Sequence, residues 1–476
     1  MIGAMPYHHE SGNIAGPHVP SSPLHVIILA AGQGKRMHSQ LPKVLHRLAG
    51  RPIIEYGLDA ARALAPDRIA LVIGHEGDRV AAGIDARGLV LVRQDPPCGT
   101  GDAVKRALAE LPRDGVALVM IGDAPLVQAE DLAALVASAR EGALALLTAR
   151  VPDPRGLGRV VRDASGDVRA IVEEKDCTQE QRAIDEINSG MIAAPTRELA
   201  RWVDALSDDN AQREYLLTDI VGMAVRDGVR VASRCVADER DVRGINDRGQ
   251  LVALERILQR RRADALLLQG TWIADPDRID IRGTLSCGRD VRIDVNCVFE
   301  GEVVLEDDVE IGASCVLRNT RVGKGTIVAP FTHCEDASIG ANCRIGPYAR
   351  LRPGASLSDD VHIGNFVEVK ASTIGARSKA NHLAYLGDST VGADVNVGAG
   401  TITCNYDGAN KHRTVIEDGA FIGSDTQLVA PVTVGRNATL GAGTTLTRDA
   451  PADALTISRA QQRSVAGWKR PVKRKA

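Results

Sequence analysis

The residues that suggest chemistry most directly lie between Leu29 and Lys43, in the segment LAAGQGKRMHSQLPK. The apolar run just before this segment predicts a buried parallel strand, which leads into a loop that carries Gly32 and Gly34. Glycine lets the backbone come close to a ligand, so that amide groups can bind phosphates or the edge of a base. Arg36 and Lys43 add positive charge where a triphosphate would lie. The segment therefore predicts a nucleotide-phosphate site.

Two common phosphate-binding loops do not fit this spacing. A dinucleotide-binding loop needs a third glycine where Met37 stands, and a Walker A loop needs Gly-Lys-Ser or Gly-Lys-Thr, which the segment lacks. The remaining pattern, L-x-x-G-x-G-x-R followed by P-K, resembles the signature of sugar-nucleotide nucleotidyltransferases. The alternative is a glycine turn in some other α/β protein.

Length, charge and cysteine content narrow the class of protein. A chain of 476 residues is expected to form two or three domains, and its net charge of −3 gives no general attraction to nucleic acid or membranes. No apolar run approaches the roughly 18 residues of a membrane-spanning helix. The nine cysteines have no CxxC spacing, which indicates reduced thiols in the cytoplasm. Residues 1–23 lack the pattern of a signal peptide and are expected to be a disordered extension.

Residues 24–246 alternate apolar strands with helical patterns, which predicts an α/β domain with a largely parallel sheet. Strands are predicted at 69–74, 89–92, 117–121 and 144–149, and helices at 103–111 and 130–139. Ligands of such sheets bind beyond the carboxyl ends of the strands. This rule brings three segments together as one site: 32–43, 94–100 and 122–123.

A long amphipathic helix is predicted over residues 247–269, where it connects this domain to the rest of the chain. Asp247 can cap its start and Gly270 can end it. The apolar stripe expected on this helix consists of Leu251, Leu254, Leu258, Ala265 and Leu268.

Residues 270–450 carry a six-residue repeat. Apolar residues recur at Ile293, Phe299, Leu305, Ile311 and Leu317, then at Ile339, Ile345, Leu351, Leu357, Ile363 and Val369, and finally at Ile416, Ile422, Leu428, Val434, Leu440 and Leu446. A period of six fits neither a helix nor an alternating strand, but it predicts a parallel β-helix in which each hexad forms one side of a coil. About nine or ten coils are expected. The phase breaks between Thr401 and Ile416, which predicts a loop outside the stack, and residues 451–476 form a basic tail.

This combination of domains resembles one family, the bacterial bifunctional N-acetylglucosamine-1-phosphate uridyltransferases/glucosamine-1-phosphate acetyltransferases. The resemblance covers residues 24–470 and is most specific in LAAGQGKRM, NHLAYLGDSTVGADVNVGAGTITCNYDGANK and GSDTQLVAPVTVG. It implies a Rossmann-like nucleotidyltransferase domain, a connecting helix, and a left-handed β-helix that assembles into a homotrimer.

For the first domain, the resemblance implies a set of residues that bind UTP or UDP-N-acetylglucosamine. They are Leu29, Ala30, Gly32, Arg36, Lys43, Gln94, Gly99, Thr100, Gly122, Gly158, Glu173, Asn188 and Asn246. It also implies that Asp123 and Asn246 hold Mg²⁺, and oxygen ligands are those that this hard cation prefers. The sequence departs from the usual family pattern at Cys98, Asp102, Ile121 and Ser189.

For the β-helix, transfer of an acetyl group to an amine needs a base, and His382 is the candidate. The alternative is a structural histidine. The resemblance implies that Arg352, Lys370, Tyr385 and Asn396 bind glucosamine 1-phosphate, and that Glu368 supports the histidine. It implies that Ala399, Asn405, Tyr406, Ser424, Ala442 and Arg459 bind acetyl-CoA, with Lys411 and the basic tail near the coenzyme phosphates.

The predicted function is therefore a two-step synthesis of UDP-N-acetylglucosamine from glucosamine 1-phosphate, acetyl-CoA and UTP. By resemblance, the product feeds peptidoglycan and lipopolysaccharide synthesis, and no nucleic acid or stable membrane partner is expected. Two alternatives remain open: a single-activity sugar-nucleotide pyrophosphorylase whose β-helix only assembles the oligomer, and a non-catalytic scaffold with the same domain plan.

Overall fold

A computed structural model describes residues 22–74, 76–210 and 212–472. Residues 1–21 of the expected N-terminal extension, and the last four residues of the tail, lie outside the described residues. The chain forms two compact units. The first contains the described residues up to Leu48 together with Pro52–Leu254, and the second contains Ala49–Arg51 and the residues from Glu255 onward.

The first unit is built around a nine-stranded sheet in which most strands are parallel. Its strands are β1 Leu24–Ala30, β2 Arg68–Ile73, β3 Leu89–Arg93, β4 Val116–Ile121, β5 Leu144–Arg150, β6 Arg159–Arg162, β7 Val168–Val172, β8 Glu186–Pro195 and β9 Val231–Cys235. Their order across the sheet is β9-β5-β8-β4-β1-β2-β3, with β6 paired to β8 and β7 paired to β6. The antiparallel pairs of this sheet are those of β8 with β4, β5 and β6, and that of β6 with β7.

Helices cover the two faces of the sheet. They are α1 Ile53–Ala63, α2 Gly77–Ala82, α3 Thr100–Ala109, α4 Ala129–Arg140, α5 Thr196–Asp204 and α6 Ile220–Arg226, and short 3₁₀ turns include Lys35–Met37, Lys43–Leu45, Glu174–Asp176, Gln181–Ala183, Leu217–Asp219 and Glu239–Val242. Neighbouring residues of β1 belong to different apolar clusters, Val26 and Ile28 to one and Ile27 to the other, because successive side chains of a strand point to opposite faces. The strands and helices predicted in this region are confirmed.

The connecting helix, α7, spans Arg248–Leu268. Its first turn is capped as predicted, since the Gln250 amide donates to the Asp247 carboxylate at 2.8 Å. Gly270 follows the helix with a φ of +96°, a conformation that glycine adopts without strain. The predicted start and end of this helix are therefore confirmed.

The predicted apolar stripe of α7 is wrong in its second half. Leu268 is 91% exposed, whereas Ala263 and Leu266 are buried in the core of the second unit. Gln259 is also buried, and its side-chain amide is paired with the backbone of Ile281. It accepts from the Ile281 amide at 2.7 Å and donates to the Ile281 oxygen at 3.1 Å. Hydrophobicity alone does not identify such a residue, since a buried amide is tolerated only when its partners are supplied by another element.

The second unit is a parallel β-helix. One face carries Trp272–Ile273, Arg292–Ile293, Glu310–Ile311, Ile327–Val328, Arg344–Ile345, His362–Asn365, Lys379–His382, Asn396–Val397, Phe421–Ile422, Thr439–Leu440 and Leu455–Thr456. The other two series of strands both continue from three long strands, Ile279–Cys287, Cys297–Leu305 and Val316–Val322. One series consists of Ser338–Ile339, Ser356–Leu357, Thr373–Ile374, Ser389–Val391, Thr414–Ile416 and Val432–Val434. The other consists of His333–Glu335, Arg350–Leu351, Glu368–Lys370, Tyr385–Gly387, Ile402–Cys404, Gln427–Val429 and Thr445–Leu446.

The hexad prediction is confirmed, because every apolar residue named for the repeat is at most 4% exposed. The corners between faces contain short polar residues with positive φ, such as Asn296 at +60° and Asp360 at +59°. Asparagine and aspartate accept this conformation better than bulkier residues do. The face that begins at Trp272 has eleven strands, which exceeds the nine or ten coils expected, since pairing continues to Leu455–Thr456.

The break in phase is a real insertion in one coil. Thr373 pairs with Thr390, 17 residues on, but Thr390 pairs with Val415, 25 residues on. The extra residues form the predicted loop, which is closed by a bridge between Tyr406 and Lys411. None of the helices in the described part of the chain has the length and apolar character needed to cross a bilayer.

The stacked core predicts a large stability effect for a single truncation. Ile345 is 1% exposed in the middle of the stack, so Ile345→Ala should lower the free energy of unfolding of the β-helix by about 2–5 kcal/mol. Arg344→Ala changes the exposed neighbour on the same strand and should change it by less than about 0.5 kcal/mol. Denaturant unfolding followed by circular dichroism measures both, and equal small effects would contradict the stacked-core account.

Candidate active sites

A cavity of about 310 Å³ opens at the carboxyl ends of β1, β3 and β4. It is lined by Leu29, Ala30, Ala31, Gly32, Lys43, Val44, Gln94, Pro97, Gly99, Thr100, Ala103, Ile121, Asp123 and Glu214. The three segments that the strand rule brought together do meet here. Seven of the predicted nucleotide residues line this cavity together with the predicted metal ligand Asp123; the seven are Leu29, Ala30, Gly32, Lys43, Gln94, Gly99 and Thr100.

The glycine-rich loop places Lys43 at the cavity. Gly34 has a φ of +61°, and a Cβ atom there would lie only 2.6 Å from the Cβ of Lys43. Any larger residue at position 34 would therefore push the lysine side chain away. Gly34 thus positions Lys43 by packing.

Lys43 meets two predicted metal ligands. Its ammonium group forms an ion pair with Asp123 and lies 3.3 Å from the side-chain oxygen of Asn246. Asn246 reaches this place because the neighbouring Ile245 amide donates to the backbone oxygen of Asp123 at 2.9 Å. The side chains of Lys43 and Asp123 are only 12% and 17% exposed. One positive charge thus sits between a carboxylate and an amide oxygen at the cavity wall.

The loop before α3 is fixed by a partner that sequence reasoning missed. Tyr215 donates its amide to the backbone oxygen of Cys98 and accepts from the amide of Gly101, at 2.9 and 2.8 Å. A Cβ atom on Gly99 would lie 2.5 Å from the Tyr215 oxygen, so only glycine fits there. The Leu217 amide donates to the Thr100 hydroxyl at 3.1 Å. No motif in the sequence marks Tyr215, because it contributes only backbone groups.

A second cavity, of about 480 Å³, lies on the other side of Asp123. Ile121 and Asp123 line both cavities, and Asn188, Ser189 and Asn246 line the second. Asp123 therefore stands at the wall that two adjoining spaces share. Such a position suits a group that acts where two substrates meet.

Gly158 and Glu173, which the resemblance includes in the UDP-N-acetylglucosamine set, lie next to Asn188. The Asn188 amide donates to the backbone oxygen of Gly158 at 2.9 Å. A Cβ atom on Gly158 would lie 3.5 Å from both carboxylate oxygens of Glu173. Glu173 accepts a hydrogen bond from the Thr218 hydroxyl at 3.2 Å. Burial raises the pKa of the Glu173 carboxyl above its ordinary value.

Four predicted residues of the first unit line neither cavity: Gly158 and Glu173, described above, and also Arg36 and Gly122. Arg36 is exposed on the turn Lys35–Met37 and lines neither of them. Gly122 is buried under the sheet, where its amide donates to the Leu29 oxygen at 2.8 Å. A Cβ atom there would lie 2.7 Å from the Ile54 side chain. Gly122 thus serves the close packing behind the cavity.

In the second unit, His382 has a partner one coil away. Its Nδ1 atom lies 3.0 Å from the side-chain oxygen of Asn365, which precedes it by 17 residues in paired register. An amide oxygen only accepts hydrogen bonds, so this contact favours the tautomer with the proton on Nδ1, in which the Nε2 lone pair is available as a base. The period of the β-helix would have identified Asn365. Glu368, expected to support the histidine, accepts from Arg352 at 2.7 Å, and its support of His382 stays a prediction.

Positive side chains gather on the neighbouring face. Arg352 and Lys370 come from adjacent coils, since the Arg352 amide donates to the Val369 oxygen at 2.8 Å. The Lys370 ammonium lies 3.7 Å from a carboxylate oxygen of Asp388. The inserted loop brings Lys411 beside Lys370, and this neighbouring ammonium group lowers the pKa of Lys411. An anion is the natural ligand of such a cluster.

The remaining predicted sugar residues lie on the same coils. The Asn405 side chain donates to Asp388 and lies 3.4 Å from the hydroxyl of Tyr385. Asn396 pairs with Lys379, on the strand that ends at His382. Asn405 therefore lies beside Tyr385, a predicted sugar-phosphate residue, and its expected role at the coenzyme stays a prediction.

The predicted coenzyme residues follow one corner of the stack. The Asp425 amide donates to the Ala399 oxygen at 2.7 Å, and the Gly443 amide donates to the Ser424 oxygen at 2.8 Å, so Ala399, Ser424 and Ala442 lie on successive coils. Arg459 lies over this corner, since a Cβ atom on Gly441 would be 3.4 Å from its guanidinium. Tyr406 is 62% exposed, and its hydroxyl donates to the Gly408 oxygen of its own loop. No contact described for Tyr406 joins it to the corner.

Within residues 22–74, 76–210 and 212–472, no group of three or more His, Cys, Asp and Glu side chains is arranged to hold a metal ion. Asp123 and Asn246 together offer one carboxylate and one amide oxygen at the nucleotide cavity. All nine cysteines are free thiols.

The sequence matches known families over both units. These are the MobA-like NTP transferase domain over residues 26–216, the GMPPB C-terminal domain over residues 281–374, and the bacterial transferase hexapeptide (six repeats) over residues 413–448.

Similar proteins match the chain almost end to end. The bifunctional protein GlmU of Nitrosospira multiformis is 56% identical over 454 residues, which cover 95% of this chain and 99% of that protein. Those of Azoarcus sp. (strain BH72) and Cupriavidus pinatubonensis are 58% and 57% identical, over 95% of this chain and 100% and 99% of their own lengths. At this identity and coverage, the chain belongs to the bifunctional GlmU family.

Proposed function

We propose that this protein makes UDP-N-acetylglucosamine in two steps, one on each unit. The β-helix acetylates glucosamine 1-phosphate with acetyl-CoA, and the first unit then transfers the uridylyl group of UTP to the product and releases pyrophosphate. The observation that carries the proposal is the presence of two separate polar sites, one around Asp123 and one around His382. A scaffold or a single-activity enzyme is not favoured, because neither needs both sites.

Uridylyl transfer is proposed to take place at the shared wall of the two cavities. UTP would occupy the first cavity, and the sugar phosphate would occupy the second, near Asn188. A phosphate oxygen of the sugar phosphate attacks the α-phosphorus of UTP in line, and pyrophosphate leaves. Lys43 neutralises charge that develops on the phosphates, with Arg36 on the exposed turn as a second cation. The chain therefore contributes mainly positioning and charge.

The donor set fits Mg²⁺ as the metal of this step. Asp123 and Asn246 supply oxygen atoms, and the Lys43 ammonium already occupies the space between them as a cation. Mg²⁺ that also binds substrate phosphates and water commonly has few ligands from the protein. When bound, Mg²⁺ would supply further charge neutralisation at the phosphates.

Acetyl transfer is proposed to depend on His382. Nε2 removes a proton from the ammonium group of glucosamine 1-phosphate, and the neutral amine then attacks the carbonyl carbon of acetyl-CoA. The C–N bond forms as the C–S bond breaks, and CoA leaves as the thiol with the proton that the nitrogen loses on becoming an amide. Asn365 holds the ring in the tautomer that this step needs, while Arg352, Lys370 and Lys411 offer charge for the sugar phosphate. Ala399, Ser424, Ala442 and Arg459 form the corner along which the coenzyme would lie.

We further propose a homotrimer formed through the β-helix. Phe331, Tyr348 and Phe366 stack on successive coils, with ring centroids 4.9 and 5.3 Å apart, and each is about half exposed. All three have positive φ, a strained conformation for bulky residues. An exposed, strained apolar ladder that ends beside His382 suits contact with a second copy, and the loop from Thr401 to Val415 would reach a neighbouring active site.

We also propose the limits of the domains: the uridyltransferase domain at 24–246, the linker helix at 247–269, the acetyltransferase β-helix at 270–450 and the basic tail at 451–476. The free thiols support a reducing, cytoplasmic location.

Replacing Asp123 should affect one activity only. Asp123→Ala removes the carboxylate at the shared wall and should lower pyrophosphate release by about 10²-fold or more, the scale for losing a group that stabilises transition-state charge. CoA release from acetyl-CoA should be unchanged, and Asp114→Ala, an exposed carboxylate of the same unit, should leave both activities intact. Normal metal-dependent pyrophosphate release by Asp123→Ala would show that the metal assignment is wrong.

Replacing His382 should have the reverse effect. His382→Ala should lower acetyl transfer by about 10²–10⁴-fold, the usual contribution of a general base, with uridylyl transfer intact. His333→Ala, on a different face of the β-helix, serves as the matched control. Separate assays of thiol release and pyrophosphate release check this, and a parallel loss of both activities in a folded variant would contradict it.

The aromatic ladder predicts a link between assembly and acetyl transfer. Tyr348→Ser should reduce the molar mass measured by light scattering and lower acetyl transfer, with uridylyl transfer retained. Tyr348→Phe should behave like the unchanged chain, because phenylalanine already holds the adjacent positions of the ladder. A Tyr348→Ser protein that keeps its mass, or an unchanged chain that is monomeric with full acetyl transfer, would refute the proposal.

A further inference from the structure

The Gln94 side chain makes two hydrogen bonds at the nucleotide cavity. Gln94 directly follows β3 and is only 4% exposed. Its Nε2 atom donates to the backbone oxygen of Gly99 and to the Asp102 carboxylate, both at 2.9 Å. An amide nitrogen has two hydrogens, so these two bonds use its full donor capacity.

The two acceptors determine which way the amide faces. A backbone carbonyl and a carboxylate only accept hydrogen bonds, so turning the amide over would bring its oxygen against two other oxygens. Asp102 is itself held in place, because Nε of Arg106 donates to the same carboxylate oxygen at 2.9 Å. Asp102 lies in the first turn of α3, and its side chain is 17% exposed.

The fixed amide leaves one polar atom of Gln94 for a ligand. No hydrogen bond among the described residues reaches Oε1, and Gln94 lines the cavity proposed to bind UTP. Uracil offers an N–H donor at N3, which suits this acceptor. Cytosine has a lone pair at N3, which would face the Gln94 oxygen and be repelled by it. A buried polar site rejects a ligand that leaves its groups unpaired.

We propose that Asp102 is a positioning residue for base selection: it holds the Gln94 amide so that Oε1 faces the base and favours uracil over cytosine. The proposal rests on the proposed uridylyl transfer. Asp102 acts through Gln94 and makes no contact with the base itself. Without its carboxylate, Gln94 would keep only the Gly99 anchor, and the amide could turn to offer an N–H group to cytosine.

The test compares UTP and CTP as substrates of the full chain with N-acetylglucosamine 1-phosphate. In Asp102→Ala, the ratio of kcat/KM for UTP to that for CTP should fall by about tenfold or more. The reason is that the Gln94 amide loses the hydrogen bond that fixes its orientation and can rotate. Asp102→Asn is the matched control, because one side-chain oxygen can still accept from both Gln94 and Arg106. Its ratio should stay within about threefold of that of the unchanged chain.

Several outcomes would overturn this role. Asp102 would be a merely structural residue if Asp102→Ala lost activity equally with UTP and CTP, so that the kcat/KM ratio did not change. The same conclusion would follow if Asp102→Asn behaved like Asp102→Ala. Calorimetric titration with UTP and CTP, without sugar phosphate, gives the ratio of their Kd values and so measures the base preference independently of turnover. If the unchanged chain released no pyrophosphate from UTP, the proposed function would fail, while the binding ratios would still decide the role of Asp102.

Discussion

Parallel pairing of β-strands is the constraint on which both units depend. Parallel neighbours cannot be joined by tight hairpins, so each connection must travel the length of the strand before the next one begins. In the first unit these connections include helices, and the loops that follow the strands gather at one edge of the sheet, where Lys43, Gln94 and Asp123 meet. In the second unit the connections are the other faces of the same coil. Residues about 17 or 18 positions apart therefore lie side by side, as Asn365 and His382 do.

Charge in both proposed sites is paired before any ligand binds. Lys43 contacts Asp123, and Arg352 contacts Glu368. These pairs reduce the cost of holding charges in partly buried positions. A bound phosphate would offer the cations a new partner, while the carboxylate of the first pair would be free to bind a metal ion. The sites are thus arranged so that substrates exchange existing charge contacts for new ones.

The hexad repeat and the apolar runs of the α/β unit were predicted well from the sequence. The hexad fixes which side chains enter the β-helix core, and the apolar runs mark the buried strands of the first unit. The apolar stripe of α7 was wrong in its second half, where Leu268 is exposed. Partners that depend on another element were not predicted. Gln259 is buried through the backbone of Ile281, Tyr215 acts through backbone groups, and Glu368 accepts from Arg352. Such contacts depend on three-dimensional register, which composition and spacing do not specify.

We propose that one chain performs both steps, and a substrate-omission assay tests this most directly. The purified chain is incubated with Mg²⁺ and UTP, and UDP-N-acetylglucosamine is measured by chromatography with either glucosamine 1-phosphate or its N-acetylated form as the sugar. The account predicts product from glucosamine 1-phosphate only when acetyl-CoA is added, and product from the acetylated sugar without acetyl-CoA. Product from the acetylated sugar alone, with none from glucosamine 1-phosphate and acetyl-CoA, would contradict it.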